Sequence, residues 1–322
     1  MRYVVYGAGA VGGVIGGRLA EHAHEVVLIA RGEHYEAIRS HGLTVESSDA
    51  STTTAVDVVD HPSRIRFTDT DVVILAMKSQ DTGDALSALA AVAAPPTPVV
   101  CAQNGVENER AALRLFANVY GVCVMLPASH LRPGVVQAYS SPTPGILHLG
   151  RFPAGVDEVA EQTAAAFRDA TFVSEARPDI MRWKYTKLLM NLANAAEAAF
   201  APSDARNAVA RQVRQEGATV LRAAGIDFAS NEEDAALRGD TLRIRPIGSE
   251  RRGGGSSWQS LERRTGRVES DYLNGEIVML ARLHGIPAPV NDALARVCTE
   301  MARAGAAPQS RAAEEFLAAT SP

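Results

Sequence analysis

The chain has 322 residues, of which 46% are hydrophobic and 21% are charged, and its formal net charge is −5. This balance is typical of a globular protein, and the length suggests about two domains. The acidic charge offers no basic surface for a nucleic acid, so the sequence argues against a nucleic-acid partner. The three cysteines, Cys101, Cys123 and Cys298, are too few and too scattered for a disulfide framework or a zinc site, which indicates a reducing compartment and no bound metal.

The first twenty residues combine one arginine with an apolar run and so have the general form of a secretory signal. Six glycines interrupt that run, and no stretch of the sequence reaches the roughly eighteen apolar residues that a membrane span needs. We therefore expect a cytoplasmic protein with no membrane partner.

A glycine-rich turn follows the first predicted strand. Residues 4–6 are apolar, the motif GAGAVG occupies residues 7–12, and a helical pattern continues to Leu19. A second predicted strand, residues 24–30, follows at the distance expected of a β-α-β unit. In this setting the motif predicts a Rossmann domain that binds a dinucleotide.

Each glycine of the motif has a separate task in such a turn. Gly7 permits the tight bend, Gly9 lets a pyrophosphate approach the backbone, and Gly12 lets the helix pack closely on the sheet. The first amides of the helix supply N–H groups and positive potential. The predicted cofactor contacts at this turn are Gly7, Gly9, Ala10, Val11 and Gly12.

The residue after the second strand distinguishes the two nicotinamide dinucleotides. An acidic residue there accepts from the ribose 2′-hydroxyl of NAD, whereas an arginine can pair with the 2′-phosphate of NADP. Arg31 occupies this position, which favours NADPH, and Glu33 two residues later leaves NADH open.

Polar residues follow two further buried strands. Residues 71–77 and 98–102 are continuous apolar runs, as expected of a parallel sheet that is covered on both faces. Lys78 follows the first run and Asn104 the second, and ligands bind beyond the carboxyl ends of such strands. We therefore expect both residues where nicotinamide and substrate meet, although an Asn-Gly pair is also ordinary turn chemistry. Residues 121–150 read as further strands that complete the sheet.

The second half changes to alanine- and leucine-rich helical patterns. The predicted helices cover residues 179–200, 203–225, 257–265, 267–284 and 291–305. The sequence thus predicts an α/β chain with an N-terminal Rossmann domain over residues 1–177 and an all-α domain over residues 178–322. A stretch rich in Gly, Arg and Ser, residues 238–256, has the composition of a mobile lid.

The segment WKYTKLLMN, residues 183–191, carries polar groups on one face of the first of these helices. At about 100° per residue, one arc about 80° wide contains Lys184, Lys187, Asn191 and Asn194. The arc is either a solvated stripe or a pocket wall that directs a cation and amides at an anion.

Several short motifs occur in order along nearly the whole chain. They are GAGAVG, Arg31, Lys78, Gln103-Asn104-Gly105, Trp183 with Lys187-Leu188-x-x-Asn191, Ser256-Ser257, and Glu269-x-Asp271-Tyr272-Leu273-Asn274-Gly275. Together they resemble the ketopantoate reductase (2-dehydropantoate 2-reductase) family. The resemblance implies a Rossmann domain followed by a helical domain, and NADPH-dependent reduction of a 2-keto acid to the 2-hydroxy acid.

The resemblance also implies roles for individual residues. Lys187 matches the general acid, and Glu269 matches the carboxylate that accompanies it. Hydride addition to a ketone leaves negative charge on oxygen, which an ammonium on an otherwise apolar helix can protonate. The implied substrate contacts are Asn104, Asn191, Asn194 and Ser257, while Lys78 and Asn104 border the cofactor. Pattern alone also allows Glu269 as a helix-dipole partner and Ser257 as an N-cap.

Three positions depart from the family's pattern. The second asparagine, expected at position 195, is Ala195 here, with Asn194 one place early. An expected aspartate is Leu261, and a polar residue often found three places before Ser257 is Gly254. Losing such polar groups can change selectivity by orders of magnitude. The resemblance therefore implies reduction of 2-dehydropantoate to pantoate in pantothenate biosynthesis, with a different 2-keto acid or a non-catalytic NADP-sensing module as alternatives. The oligomeric state is open, with a homodimer as one option.

Overall fold

The computed structural model describes residues 1–249 and 253–320. Its strands are β1 (Arg2–Tyr6), β2 (Glu25–Ile29), β3 (Leu43–Glu46), β4 (Ser51–Thr54), β5 (Asp57–Val59), β6 (Asp71–Leu75), β7 (Val99–Cys101), β8 (Val119–Met125), β9 (Ala128–Arg132), β10 (Val135–Ala138) and β11 (Ile146–Arg151).

The helices follow in the same order. They are α1 (Ala10–Glu21), α2 (Gly32–His41), α3 (Thr82–Ala90), α4 (Asn108–Leu113), α5 (Glu158–Asp169), α6 (Ile180–Asn191), α7 (Ala193–Ala199), α8 (Asp204–Ala223), α9 (Asn231–Arg238), α10 (Ser256–Glu262), α11 (Asn274–His284), α12 (Pro289–Arg303) and α13 (Ala313–Thr320). Short 3-10 helices occur at Pro62–Arg64, Ser79–Asp81 and Glu269–Tyr272.

The described residues form two compact units. The first contains Met1–Gln103, Asn108–Lys184 and the segment from Asn231 to residue 249. The second contains Asn104–Glu107, Tyr185–Ser230 and the segment from Gly253 to residue 320. The chain passes from the first unit to the second within α6, after Lys184. The predicted domain boundary after residue 177 stays a prediction.

A seven-stranded sheet forms the centre of the first unit, in the order β11-β8-β7-β6-β1-β2-β5. Its strands are parallel except β11, which is antiparallel to β8. Tyr6 is in register with Leu75, and Leu75 with Cys101, so β1, β6 and β7 end at the same edge. Helices α1 and α5 cover one face and α3 and α4 the other. The predicted Rossmann arrangement is confirmed.

Residues 121–150 divide between two sheets rather than one. Strands β8 and β11 complete the main sheet, whereas β9 and β10 join a separate four-stranded sheet in the order β4-β3-β10-β9. The prediction that the whole segment completes one sheet was therefore wrong for the part from Ala128 to Ala138. The physical reason is that α1 offers a second face on which a sheet can pack.

The glycines of α1 create both of these faces. On one side, a Cβ at Gly16 would lie 2.5 Å from Leu28 Cδ2 of the main sheet. On the other side, a Cβ at Gly13 would lie 2.6 Å from Val136 Cγ1, and one at Gly17 would lie 2.5 Å from Cγ2 of Val45 in the small sheet. A larger residue at any of these positions would push a sheet away, so the glycines allow α1 to lie between two sheets.

The second unit is built from helices, which confirms the predicted all-α fold of this part. The helices predicted at 203–225, 257–265 and 291–305 correspond to α8, α10 and α12 within a few residues. The single helix predicted over 267–284 was wrong, because Leu273 (φ −109°, ψ −81°) separates the 3-10 turn from α11. The following Asn274 is buried and donates to Leu192 O at 3.1 Å and Asn291 Oδ1 at 2.9 Å. These bonds fix the start of α11 independently of the turn before it.

Among residues 1–249 and 253–320, no helix is long and apolar enough to cross a membrane, and no group of His, Cys, Asp and Glu could hold a metal ion. Arg251 and Arg252 of the predicted lid lie outside the described residues. Arg245, in the described part of the same stretch, belongs to the first unit, and its backbone N–H donates to Tyr139 O at 2.8 Å.

Candidate active site

The glycine turn has the geometry that each of its glycines requires. Gly7 has a φ of +98°, and a Cβ there would lie 2.9 Å from Met77 N. A Cβ at Gly12 would lie 2.3 Å from Gly7 O, so only glycine lets α1 approach β1 this closely. At Gly9 no atom lies within 4 Å of the Cβ position. The turn is therefore closed where the helix packs and open at Gly9.

The amino terminus of α1 carries no side-chain cap. Gly9 is the N-cap residue, and Ala10 and Val11 form the first turn. The first N–H groups of a helix have no partner within the helix, and its dipole places partial positive charge there. Together with the open space at Gly9, this end of a twelve-residue helix is suited to a phosphate or pyrophosphate.

Arg31 follows β2 and is the N-cap residue of α2. It is exposed, as is Glu33 two residues later. The strand β2 lies next to β1 in the sheet, so Arg31 follows the strand that adjoins the glycine turn. This is the position from which the sequence predicts contact with a 2′-phosphate, and the contact itself stays a prediction.

A buried polar network joins the carboxyl ends of β6 and β7. The side-chain amide of Gln103 donates to Met77 O at 2.9 Å and to Thr82 Oγ1 at 2.8 Å. Asn108 then accepts from Thr82 Oγ1 at 2.8 Å and donates to Ser79 Oγ at 3.1 Å. Lys78 is half-buried at the start of the 3-10 turn that this network holds.

Lys184 is part of a buried ion pair in the first unit. Its Nζ lies 2.7 Å from Glu109 Oε1, and the two side chains are 2% and 0% exposed. The same ammonium donates to Gln103 O at 2.9 Å and to Val122 O at 3.2 Å, so all three of its protons have acceptors. Burial raises the pKa of Glu109, and the Lys184 charge opposes that rise.

Lys187 lies on the same face of α6 as Lys184 and Asn191, between them along the helix, and is half-buried. Asn191 is buried and donates to Asn104 Oδ1 at 3.0 Å within the second unit. The interpretation of this arc as a solvated stripe is therefore wrong for Lys184 and Asn191, which are both buried.

Two predicted site residues, Glu269 as a catalytic carboxylate and Asn194 as a substrate contact, lie near the start of α10 in the second unit. Glu269 is buried in the 3-10 turn and accepts from Ser256 Oγ at 3.0 Å. Glu197 of α7 accepts from Gly255 N at 3.1 Å. A Cβ at Gly255 would lie 3.5 Å from Asn194 Oδ1. The structure thus brings Asn194 and Glu269 to the same end of one helix.

Ser257 carries a buried hydroxyl near the start of α10. The residue is 1% exposed, and within the described residues its Oγ has no hydrogen bond. Gly255 is the N-cap residue of α10, which removes the alternative role of Ser257 as a cap. A buried hydroxyl without a partner is unfavourable, so a ligand acceptor that reached it would relieve a cost.

Sequence reasoning missed the contacts of three polar residues, Glu109, Glu197 and His34. Glu109 and Glu197 lie in helical segments where an acidic residue is ordinary, and no local pattern indicates that they face Lys184 and Gly255. His34 of α2 is buried and donates from Nε2 to Ala8 O, in the glycine turn, at 2.7 Å. His34 lies three residues after Arg31, and nothing in that spacing predicts its bond to the glycine turn.

Comparison with known proteins identifies the family. Residues 3–154 match the family model described as ketopantoate reductase PanE/ApbA, and residues 179–302 match the model of its C-terminal part. A 2-dehydropantoate 2-reductase from Archaeoglobus fulgidus is 31% identical over 302 residues, which cover 91% of this chain and 95% of that protein.

Two solved structures share the fold. A PanE/ApbA family ketopantoate reductase from Ralstonia eutropha is 30% identical, with a TM-score of 0.79 over 95% of this chain and 99% of that one. A D-mandelate dehydrogenase, solved with NADH and anilino(oxo)acetate, is 23% identical with a TM-score of 0.79 over the same shares and shows the fold alone. The chain belongs to the ketopantoate reductase family.

Proposed function

We propose that this protein reduces a 2-keto acid to the 2-hydroxy acid with NADPH, and that 2-dehydropantoate is its substrate. The observation that carries the proposal is the placement of its lysines. Of 32 lysine and arginine residues, three are lysines, and they are Lys78 at the end of β6 and Lys184 and Lys187 on α6. Arginine does not release a proton in proteins, whereas lysine can, so lysine is the residue that a proton donor requires.

The glycine turn suits the cofactor. The open space at Gly9 and the uncapped start of α1 fit a pyrophosphate, and Ala10 and Val11 would contribute backbone N–H groups. Arg31 would pair with the 2′-phosphate, while Lys78 and Asn104 would border the cofactor. When bound, the dinucleotide supplies the hydride for the ketone carbon.

The second unit supplies the proton and the substrate contacts in this proposal. Reduction turns the ketone C=O into CH–OH, so the oxygen that gains negative charge must receive one proton. Lys187 gives that proton and afterwards regains one from solvent. Glu269 is the carboxylate that accompanies Lys187 in this proposal. Asn104, Asn191, Asn194 and Ser257 hold the substrate's oxygens by hydrogen bonds.

A different 2-keto acid is a second candidate substrate because of two buried apolar residues. Leu261 is 2% exposed and Ala195 is 1% exposed, at positions where a polar group is expected. A site that lacks these hydrogen-bonding groups discriminates less well in favour of a substrate that carries a hydroxyl. An apolar or bulkier side chain on the keto acid would suit such a lining better.

A panel of 2-keto acids distinguishes the candidates. Oxidation of NADPH is followed by absorbance with 2-dehydropantoate and with keto acids that carry apolar or aromatic side chains. The highest kcat/KM is expected for 2-dehydropantoate. A higher value for an apolar keto acid would assign the second substrate class, and no oxidation with any keto acid would leave only a dinucleotide-binding role.

A pair of variants tests the role of Lys187. Lys187→Ala removes the charge and the proton, and Lys187→Arg keeps the charge but not the transferable proton. Both should lower kcat by roughly 100- to 10,000-fold, the usual contribution of a general acid, and leave the Kd for NADPH unchanged. Parent-like kcat in Lys187→Arg would contradict proton transfer from this side chain.

A further inference from the structure

His34 is a buried side chain that the proposed reaction does not use. It lies in the first turn of α2, and both of its ring nitrogens bond to backbone groups. Nε2 lies 2.7 Å from Ala8 O, and Gly134 N donates to Nδ1 at 2.9 Å. Since Nδ1 accepts, the ring is neutral and Nε2 carries the proton that is donated to Ala8. Burial lowers the pKa of His34, which favours this neutral form.

The two backbone partners belong to different parts of the first unit. Ala8 is the second residue of the glycine turn, and Gly134 lies in the turn between β9 and β10 of the small sheet. The ring of His130, from β9, lies 4.0 Å from that of His34 between centroids. His34 thus connects the glycine turn to the small sheet, which itself packs on α1 at Gly13.

The bond to Ala8 fixes the direction of the next amide. Ala8 N donates to Ile29 O at 3.1 Å, so with His34 both polar groups of Ala8 are held. The Ala8–Gly9 peptide is trans, and in a trans peptide the C=O and the following N–H point in opposite directions. The Gly9 N–H therefore points away from His34, on a residue whose Cβ position is open.

We propose that His34 is a positioning residue for the dinucleotide, which holds the Ala8–Gly9 peptide in the orientation that presents the Gly9 N–H to the pyrophosphate. This inference rests on the proposed function only in that the chain binds a dinucleotide. The bond to Gly134 anchors the ring, and the bond to Ala8 O sets the peptide. Without the second bond the peptide can rotate, and a ligand must then select one of several orientations.

Two amide substitutions separate these bonds. In His34→Gln the side-chain amide reaches the place of Nε2 and can still donate to Ala8 O. In His34→Asn the shorter amide reaches only the place of Nδ1 and can still accept from Gly134 N. Each variant removes one hydrogen bond and the imidazole ring. A merely structural role of His34 therefore predicts similar losses of ligand affinity in both variants.

The measurement is binding of NADPH, NADH and ADP-ribose to the full-length protein by calorimetry, with the Tm of each variant. His34→Asn should raise the Kd for all three ligands by about three- to tenfold, as expected for loss of one orienting hydrogen bond, and His34→Gln should remain within twofold of the parent. ADP-ribose contains the pyrophosphate without the nicotinamide, so its equal response locates the effect at the turn.

Other outcomes are equally decisive. Parent-like affinity in His34→Asn, or equal losses in both variants, would overturn the positioning role while leaving the reductase proposal intact. If the parent binds dinucleotide and His34→Asn alone binds it weakly, the inference holds even when no keto acid is reduced. A parent that binds no dinucleotide would refute the proposed cofactor and this inference together.

Discussion

Lys184 and Lys187 differ by three positions on α6 and have different surroundings. Lys184 has three protein acceptors, one of them the carboxylate of Glu109. The second oxygen of that carboxylate has no hydrogen-bond partner in the described part of the chain. The ammonium therefore compensates a buried charge and also holds the carbonyl of Gln103, the residue before Asn104. We interpret Lys184 as structural.

This interpretation predicts that the effects of changing Lys184 and Glu109 on the free energy of unfolding depend strongly on each other. Lys184→Met should lower the free energy of unfolding by about 3–5 kcal/mol, because it leaves Glu109 buried without a counter-charge. The double variant Lys184→Met/Glu109→Leu should recover most of that loss. Urea unfolding of the parent, both single variants and the double variant measures this, and additive losses would contradict the coupling.

Arg31 allows a test of cofactor preference at the same scale. Arg31→Ala should raise the Kd for NADPH by roughly tenfold or more, the usual effect of losing a charge-assisted hydrogen bond, and leave the Kd for NADH unchanged. Arg39→Ala is a matched control, because Arg39 is an exposed arginine on α2 that pairs with Glu36. Equal losses for both dinucleotides in Arg31→Ala would refute selection through the 2′-phosphate.

The contacts of individual residues show which features could be predicted from the sequence and which could not. Helical periodicity correctly placed Lys187 and Asn191 on one face of α6, because a helix repeats its geometry locally. It did not show that Glu109 pairs with Lys184 across 75 positions, or that His34 bonds to the glycine turn. Such contacts depend on how distant segments pack, and a one-dimensional pattern does not contain that information.

At the scale of elements, α1 is the structure on which the first unit depends. Glycine in a helix costs about 1 kcal/mol relative to alanine, yet α1 contains four glycines that are buried. Close packing explains why α1 keeps these glycines despite the cost. Gly16 faces the main sheet, while Gly13 and Gly17 face the small sheet. Close packing on two sides thus offsets a poor helix propensity.

Alanine substitutions test this explanation. Gly13→Ala should lower the free energy of unfolding by about 1–3 kcal/mol, because the new methyl group would overlap Val136 Cγ1 and Ala8 O. Gly83→Ala in α3 is the control, since nothing lies within 4 Å of its Cβ position, and it should raise stability by up to about 1 kcal/mol. Stabilisation in both variants would show that α1 does not need its glycines for packing.

Elements with strong local patterns were also the ones that the sequence predicted best. The buried runs of β1, β6 and β7 and the periodic helices α8 and α12 were recognised from period and composition alone. The small sheet was not foreseen, because β3 and β4 are short and β3 pairs with β10, about ninety residues later in the chain. The break at Leu273 was missed because its neighbours fit a helical pattern.

For the whole molecule, buried histidines predict a dependence of stability on pH. Burial is the main cause that lowers the pKa of His34 and of His148. The folded state then binds fewer protons than the unfolded state below the ordinary histidine pKa of about 6.5. Their contribution to stability is complete above that pH and is lost as the pH falls toward the folded pKa values. The raised pKa of Glu109 has the opposite effect. Its contribution to stability decreases as the pH rises above the ordinary pKa of a glutamate.

A variant at His148 isolates one of these contributions. His148 Nδ1 accepts from Glu175 N at 3.0 Å, and His148→Asn can keep that acceptor without titrating in this range. The difference in unfolding free energy between parent and variant should be constant above about pH 6.5. Below that pH it should move in favour of the variant, by roughly 1.4 kcal/mol for each unit by which the folded pKa is lowered. A pH-independent difference would contradict the buried neutral form.

The buried hydroxyl of Ser257 links the stability of the protein to the proposed substrate contact. Within the described residues this hydroxyl has no hydrogen-bond partner, and an unsatisfied buried donor costs on the order of 1–3 kcal/mol, so we expect Ser257→Ala to raise the free energy of unfolding of the ligand-free protein. A ligand with a matching acceptor recovers that energy, whereas an analogue without one does not. Selection for thermal stability alone would favour loss of this hydroxyl, so in its proposed role Ser257 would exchange stability of the ligand-free protein for substrate selectivity.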